Sequence, residues 1–262
     1  MLKEDIKVNV NNVTKIYRAP DGRQVEAVAS ADFVVNTGEF LVLLGPSGCG
    51  KSTILRIVAG LEKPTTGQVY VNALRVDEPG PDRGLVFQSY TSFPWLTVSE
   101  NIAFGLRLRG VEDKARRRSV DRYLQATGLQ DFCDRYPEEL SGGMKQRVAI
   151  ARTLANEPEV LLMDEPFGAL DAETRWQMQE LLLRVWRETG LTVLFVTHDI
   201  EEALFLADRI YVSTARPSSL RKELTLPFGR PRTPETKIQP EFGRLVLEIA
   251  ALIRNTECEV GK

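Results

Sequence analysis

Gly45-Pro46-Ser47-Gly48-Cys49-Gly50-Lys51-Ser52 constrains this chain more than any other stretch. It follows Phe40-Leu41-Val42-Leu43-Leu44, an apolar run with the length of a buried parallel strand. It leads into a helix expected from Lys51 to about Ala59, stopped by Gly60. A strand that turns through glycines straight into a helix points backbone N–H groups inward, and with no Cβ in the way the backbone can approach an anion closely. The helix N-terminus adds partial positive charge. The spacing fits G-x-x-x-x-G-K-[ST], a phosphate cradle in which Lys51 reaches the β- and γ-phosphates of a nucleotide and the Ser52 hydroxyl ligates Mg²⁺. Gly45, Pro46, Ser47, Gly48, Cys49, Gly50, Lys51, Ser52 and the adjoining Thr53 are therefore candidate nucleotide-binding residues. Cys49 reads either as a small residue at a permissive position or as a thiol made reactive by Lys51 and the helix start.

Around this loop the pattern alternates strand and helix. Ile6 to Tyr17 and Val25 to Val35 read as strands joined by a turn at Asp21-Gly22. Gly67 to Val71 and Gly84 to Phe87 are shorter strands, separated by a loop at Pro79-Gly80-Pro81. From about Ser89 to Asn156 strand signals vanish, while Val111–Thr127 and Gly142–Ala155 read as helices. Strands return at Val160–Met163, Thr192–Val196 and Ile210–Val212. A helix that Asp171 caps lies among them, with Met178, Leu181, Leu182 and Val185 at i, i+3, i+4, i+7. The tail is basic and punctuated by Pro227, Pro231, Pro234 and Pro240. It ends in a helix with Phe242, Leu245, Val246, Ile249, Leu252 and Ile253 on one side. The expected fold is α/β with a mostly parallel sheet, an antiparallel N-terminal region and a helical insert. Its expected divisions are residues 1–88 and 157–215 for the core, 89–156 for the insert and 216–262 for a C-terminal extension.

Asp164-Glu165 ends an apolar strand, where two adjacent acids are poor for packing but well placed for chemistry. Asp164 suits support of Mg²⁺, and Glu165 suits orienting and deprotonating an attacking water. Tyr17, just ahead of the core, either stacks on an adenine ring or fills the core. His198 is the single histidine. Three cysteines without metal-ligand spacing fit a reducing compartment. A formal charge of −2 gives no basic field for nucleic acid, and no apolar run approaches the roughly 20 residues of a membrane helix. Met1 to Asp5 carries no secretory apolar region, so a cytosolic protein is expected.

Leu140-Ser141-Gly142-Gly143-Met144-Lys145-Gln146-Arg147 resembles the signature of ATP-binding-cassette (ABC) ATPases. The phosphate loop, Gln88, this signature, Asp164-Glu165, Ala169-Leu170-Asp171 and His198 occur in the order of an ABC transporter ATPase subunit. The resemblance implies a P-loop NTPase core, ATP and Mg²⁺ as cofactors, and a head-to-tail dimer with two ATP sites. In it Gln88 reaches Mg²⁺ and the attacking water, and His198 contacts the γ-phosphate. Ser141, Gly142 and Gly143 meet the partner's ATP, and Asp171 lies across the interface. The catalytic set it implies is Glu165, His198 and Gln88, and the metal set is Ser52, Gln88 and Asp164. It also implies membrane permease subunits docking near Gln88 to Trp95, where Tyr90, Phe93, Pro94 and Trp95 cluster. A periplasmic solute-binding protein acts indirectly, nucleic acid is no partner, and the location is the cytoplasmic face of the cell membrane, peripherally.

Phe167-Gly168-Ala169-Leu170-Asp171-Ala172 and Ala207-Asp208-Arg209-Ile210 look like bacterial importer subunits. Ser213-Thr214-Ala215-Arg216-Pro217 and the tail resemble the nitrate/sulfonate/taurine importer group. Ser89-Tyr90-Thr91-Ser92-Phe93 departs from the usual leucine-rich stretch after the glutamine. The rival readings are a soluble ABC ATPase acting on nucleic acid or ribosomes, and a non-hydrolysing module. A single phosphate loop, only about 90 residues from Lys51 to Ser141, and intact Glu165 and His198 weigh against both.

Overall fold

The computed structural model describes residues 5–89, 91–213 and 218–260. They form two compact units, one drawn from the chain up to Gly80 and from Thr192 onward, the other from Pro81–Leu191. In the first unit β1 (Ile6–Arg18) and β2 (Gln24–Asn36) pair antiparallel. Gly22, at φ 83°, turns the chain between them. Val8, Val10 and Val13 of β1 are fully buried, and polar neighbours carry the outer face. β3 (Phe40–Leu44) is buried at every position, and α1 (Lys51–Val58) follows the glycine-rich loop. β4 (Thr66–Val71) pairs with β1, and β5 (Leu74–Arg75) closes a hairpin through Asn72 and Ala73, both at positive φ.

In the second unit β6 (Arg83–Val86) and β7 (Val160–Asp164) pair in parallel, Arg83 opposite Val160. Among the described residues three α-helices intervene, with two three-residue 3-10 helices between the last two. The helix α2 (Val98–Leu108) starts at a capping box of Thr97 and Glu100. α3 (Asp113–Thr127) stops at Gly128, φ 66°, and α4 (Gly142–Leu154) begins in the Leu140–Arg147 motif. α2 packs on both α3 and α4. After β7 comes α5 (Ala172–Thr189), capped by Asp171 and ended by Gly190. Its stripe of Met178, Leu181, Leu182 and Val185 is buried, as the periodicity requires.

The chain then returns to the first unit with β8 (Thr192–Thr197), α6 (Ile200–Leu206), β9 (Arg209–Ser213), β10 (Ser218–Thr225), α7 (Pro234–Lys237) and α8 (Pro240–Val260). Strand order in this unit is β5-β4-β1-β2-β10-β9-β3-β8. β3 lies between β8 and β9 and runs parallel to both. The expected antiparallel N-terminal region and parallel core are both present. Phe242, Leu245 and Ile249 of α8 are buried, on the face anticipated for them.

Four elements of this unit lie outside the sequence reading: the two-residue β5, the four-residue α7, β10 and α6. β10 falls in the basic tail, where Arg221, Lys222 and Glu223 mask the strand pattern. Its Glu223 is accommodated by Arg209 Nη1 at 2.8 Å and the Tyr211 hydroxyl at 2.7 Å, both on neighbouring β9. α6 is only seven residues long, too short for a periodic signal. Tyr90 and residues 214–217, on which the sequence reading also drew, lie outside the described residues.

Candidate active site

The glycine-rich loop joins β3 to α1, and its glycines are needed for two different reasons. Gly48 and Gly50 sit at φ 75° and 108°, where an L side chain is strained. Gly45 is instead limited by space, because a Cβ there would lie 3.0 Å from the Ser213 carbonyl oxygen. Gly50 is the N-cap of α1 and supplies no side-chain acceptor, so the helix start presents amides in the manner of an anion site. Lys51 is 3% exposed. Its Nζ lies inside the arc of the loop, 2.8 Å from the carbonyls of both Gly45 and Pro46. The Cys49 thiol points inward, 3.6 Å from Lys51 Nζ and 3.7 Å from Ser213 Oγ. A reagent reaches it only if the loop opens.

Tyr17 stands beside the same loop. Its hydroxyl lies 3.4 Å from Thr53 Oγ1 on α1 and donates to Glu62. Burial, then the bond to Glu62, holds its phenol above the ordinary range. The Lys15 ammonium lies 5.0 Å from the ring centroid, over one face. His198 is exposed just past the end of β8. The preceding residue, Thr197, accepts at its carbonyl from the Gly45 amide (3.4 Å), so the histidine and the start of the loop share one junction. Asp199 caps α6, its Oδ1 accepting from the Glu202 amide at 3.0 Å.

In the second unit, Asp164 is the last residue of β7 and is 6% exposed. Glu165 follows at φ 44°, a left-handed conformation that costs a non-glycine residue about 1–3 kcal/mol. Gln88 Nε2 is 3.5 Å from a Glu165 carboxylate oxygen. The Gly168 amide donates to the Glu165 carbonyl at 3.2 Å, closing the turn that holds this backbone. Two of the sequence-assigned catalytic residues are thus neighbours here.

Ser141 is the N-cap of α4, and its Oγ accepts from the Met144 amide at 3.3 Å. Gly142 and Gly143 form the first turn. Glycine at 143 has a packing cause, since a Cβ would lie 2.3 Å from Thr174 Cγ2 on α5. Asp171 caps α5, taking the Thr174 amide at 3.0 Å and the Thr174 hydroxyl at 2.7 Å. Those two bonds, the amide first, hold its carboxyl below the usual range.

The segment after Gln88 is held by residues that sequence reasoning did not single out. Asn101, fully buried, accepts from the Phe93 amide (2.8 Å) and donates to the carbonyls of Phe93, Leu96 and Thr97. Arg152 of α4 donates to the Thr91 carbonyl (2.7 Å) and hydroxyl (2.6 Å) and stacks 5.1 Å from the Phe93 ring. Phe93 contacts Trp95 and Phe104, with ring centroids 5.6 and 4.4 Å away, and Trp95 remains 69% exposed. An asparagine in a first helical turn and an arginine in a last one are ordinary surface residues by composition, so no local pattern announces them.

The family model described as ABC transporter matches residues 28–168. The chain belongs to the ABC transporter family. The cassette is 46% identical over 258 residues to a protein named nitrate import ATP-binding protein NrtD from Synechocystis sp., covering 96% of this chain and 97% of the relative. A protein named taurine import ATP-binding protein TauB from Roseobacter denitrificans is 45% identical over 257 residues, covering 97% and 96%. Among solved structures, a dimeric post-hydrolysis state of the ATP-binding cassette MJ0796 bound to ADP and Pi matches with TM-score 0.75 at 35% identity. The match covers 85% of this chain and all of that one. The cassette is therefore an ATP-binding, ATP-hydrolysing subunit with the ABC ATPase fold. Among its described residues, no helix is long and apolar enough to cross a membrane.

Proposed function

We propose that this cassette powers an importer for a small oxyanion or organic sulfonate, working as a head-to-tail pair on the cytoplasmic side of a permease. The relatives named for nitrate and taurine import, matched over nearly the whole chain, support the solute class. The approach of Gln88 to Glu165 at the end of β7 carries the catalytic reading. A carboxylate fixed there by a strained backbone and a neighbouring amide suits a general base that holds and deprotonates one water.

In this reading the loop amides and Lys51 bind the β- and γ-phosphates, and Tyr17 stacks on adenine. Ser52, a hard oxygen donor in the first turn of α1, ligates Mg²⁺. Asp164 supports the same ion through its buried carboxylate, and Gln88 joins that metal set while sensing the water. His198 donates to the γ-phosphate. Ser141, Gly142 and Gly143 present hydroxyl and amide donors to the nucleotide of the opposite cassette, and Asp171 faces that cassette. The divisions of 1–88 with 157–215, 89–156 and 216–262 then correspond to nucleotide core, signature-bearing insert and extension. The exposed Trp95, set on Phe93 and anchored by Arg152 and Asn101, is the permease contact.

The test is dimer formation. Glu165→Gln with MgATP gives a trapped dimer on gel filtration, with turnover reduced at least about 100-fold. Adding Ser141→Arg abolishes that dimer while each monomer still binds ATP. Dimers that survive Ser141→Arg, or normal turnover in Glu165→Gln, refute the reading. In proteoliposomes with its permease and solute-binding protein, turnover that rises with nitrate or taurine identifies the anion.

A further inference from the structure

We infer that the C-terminal extension is a brace for the catalytic histidine, with Arg232 and Arg230 as positioning residues that act through α6. The proposal rests on the role given above to His198.

α6 begins two residues after His198 and spans only Ile200–Leu206. A helix this short cannot hold itself in water, and its last carbonyls have no partners within it. The extension supplies them. Arg232 Nη1 donates to the carbonyls of Leu204 (2.8 Å) and Phe205 (3.1 Å). Arg230 Nη2 donates to the carbonyl of Leu206 at 2.6 Å. Two cations thus sit where the helix dipole favours them. The extension also touches the start of α6, where Lys237 Nζ is 4.0 Å from a Glu201 carboxylate oxygen. The same ammonium lies 5.3 Å from the Phe205 ring. α8 packs along α6, and its Phe242 meets Phe228 with ring centroids 5.7 Å apart.

The brace reaches the phosphate loop by a second route. Asp208 Oδ1 accepts from Arg230 Nη2 at 2.8 Å, and its Oδ2 accepts from the Phe40 amide at 3.0 Å. Phe40 is the first residue of β3, the strand that delivers Gly45. One arginine therefore ties the end of α6 to the base of the loop's strand.

The arrangement is costly. Arg232 is 6% exposed, and burial, with Arg230 alongside, pulls its guanidinium down to about 9. A buried cation of this kind is a weak stabiliser, since an apolar side chain of similar volume often does as well. What it uniquely supplies is a fixed direction for the helix that begins two residues after His198.

The experiment compares Arg232→Met, Arg232→Lys and His198→Ala in the full chain, with kcat and KM for MgATP and amide exchange across residues 199–207. Arg232→Met lowers kcat about tenfold with KM within about twofold, and speeds exchange in α6 while β3 and β8 stay protected. Arg232→Lys restores most of kcat. Wild-type kcat in folded Arg232→Met overturns the brace, and so does a kcat loss accompanied by lost protection throughout the unit. If Arg232→Met does not fold, Arg230→Gln carries the same comparison. Turnover retained in His198→Ala overturns the histidine's role instead, so the two failures are distinguishable.

Discussion

Gly143→Ala puts the packing of the signature helix to a quantitative test. The new methyl would lie 2.3 Å from Thr174 Cγ2, against the roughly 3.5–4.0 Å of an ordinary carbon contact. Rotating Thr174 moves its methyl away but gives up the 2.7 Å bond from its hydroxyl to Asp171. The strain of such overpacking costs about 1–3 kcal/mol. Alanine in a helix recovers up to about 1 kcal/mol relative to glycine. The net loss is therefore about 0–2 kcal/mol, or up to roughly 8 °C in Tm for a chain of this size. Thr174→Ser removes the offending methyl and keeps the hydroxyl. In that background Gly143→Ala becomes neutral or stabilising, and the double-mutant cycle shows coupling of about 1–3 kcal/mol. Thermal melts and urea titrations of the four proteins give the answer. An equal cost of Gly143→Ala in both backgrounds would falsify the packing argument. ATPase turnover in the double variant then separates two roles for the position. If it stays low once stability returns, position 143 also serves the nucleotide; if it recovers, Gly143 serves α5 alone.

Trp95→Ala, which deletes the most exposed member of the Phe93 cluster, leaves basal ATPase intact and removes solute-dependent stimulation in proteoliposomes. Unchanged transport would rule out a coupling role for that ring. Arg152→Ala removes both Thr91 bonds and the cover on Phe93, and a stimulated-to-basal turnover ratio equal to wild type would show that the segment does not need this anchor. The Asp171 carboxyl titrates below its unfolded value, so its contribution is fully present above about pH 4 and is lost as pH falls through the native pKa. The Tm difference between wild type and Asp171→Asn should be flat above about pH 4 and shrink below it, whereas parallel profiles throughout would contradict the capping geometry.

Much of this was legible because it is local. The loop from Gly45 to Ser52 runs from the end of one strand into one helix start, so spacing alone dictates its shape. The α5 stripe is legible for the same reason. Gly143 is different, because its cause lies on another helix and no pattern within α4 points to Thr174. Asn101 donates to carbonyls four to eight positions back and Arg152 to one sixty-one positions back, pairings that leave no pattern in one sequence. Strand β10 is hidden because its charges find distant partners, Glu223 in Arg209 and Tyr211 of β9 and Lys222 in Glu248 of α8. The extension was recognised as a helix with an apolar face, but its service to α6 depends on Arg230 and Arg232 finding helix-end carbonyls, which composition alone reads as a basic tail.

The backbone at Glu165 leaves this cassette open to a trade. Because that residue occupies a region of φ that asparagine or glycine accepts more easily, improvement campaigns scored only on heat resistance will favour losing the carboxylate. Under the role proposed for Glu165, such lineages would melt later and pump nothing. Any breeding scheme for a hardier version must therefore select on solute uptake in every round.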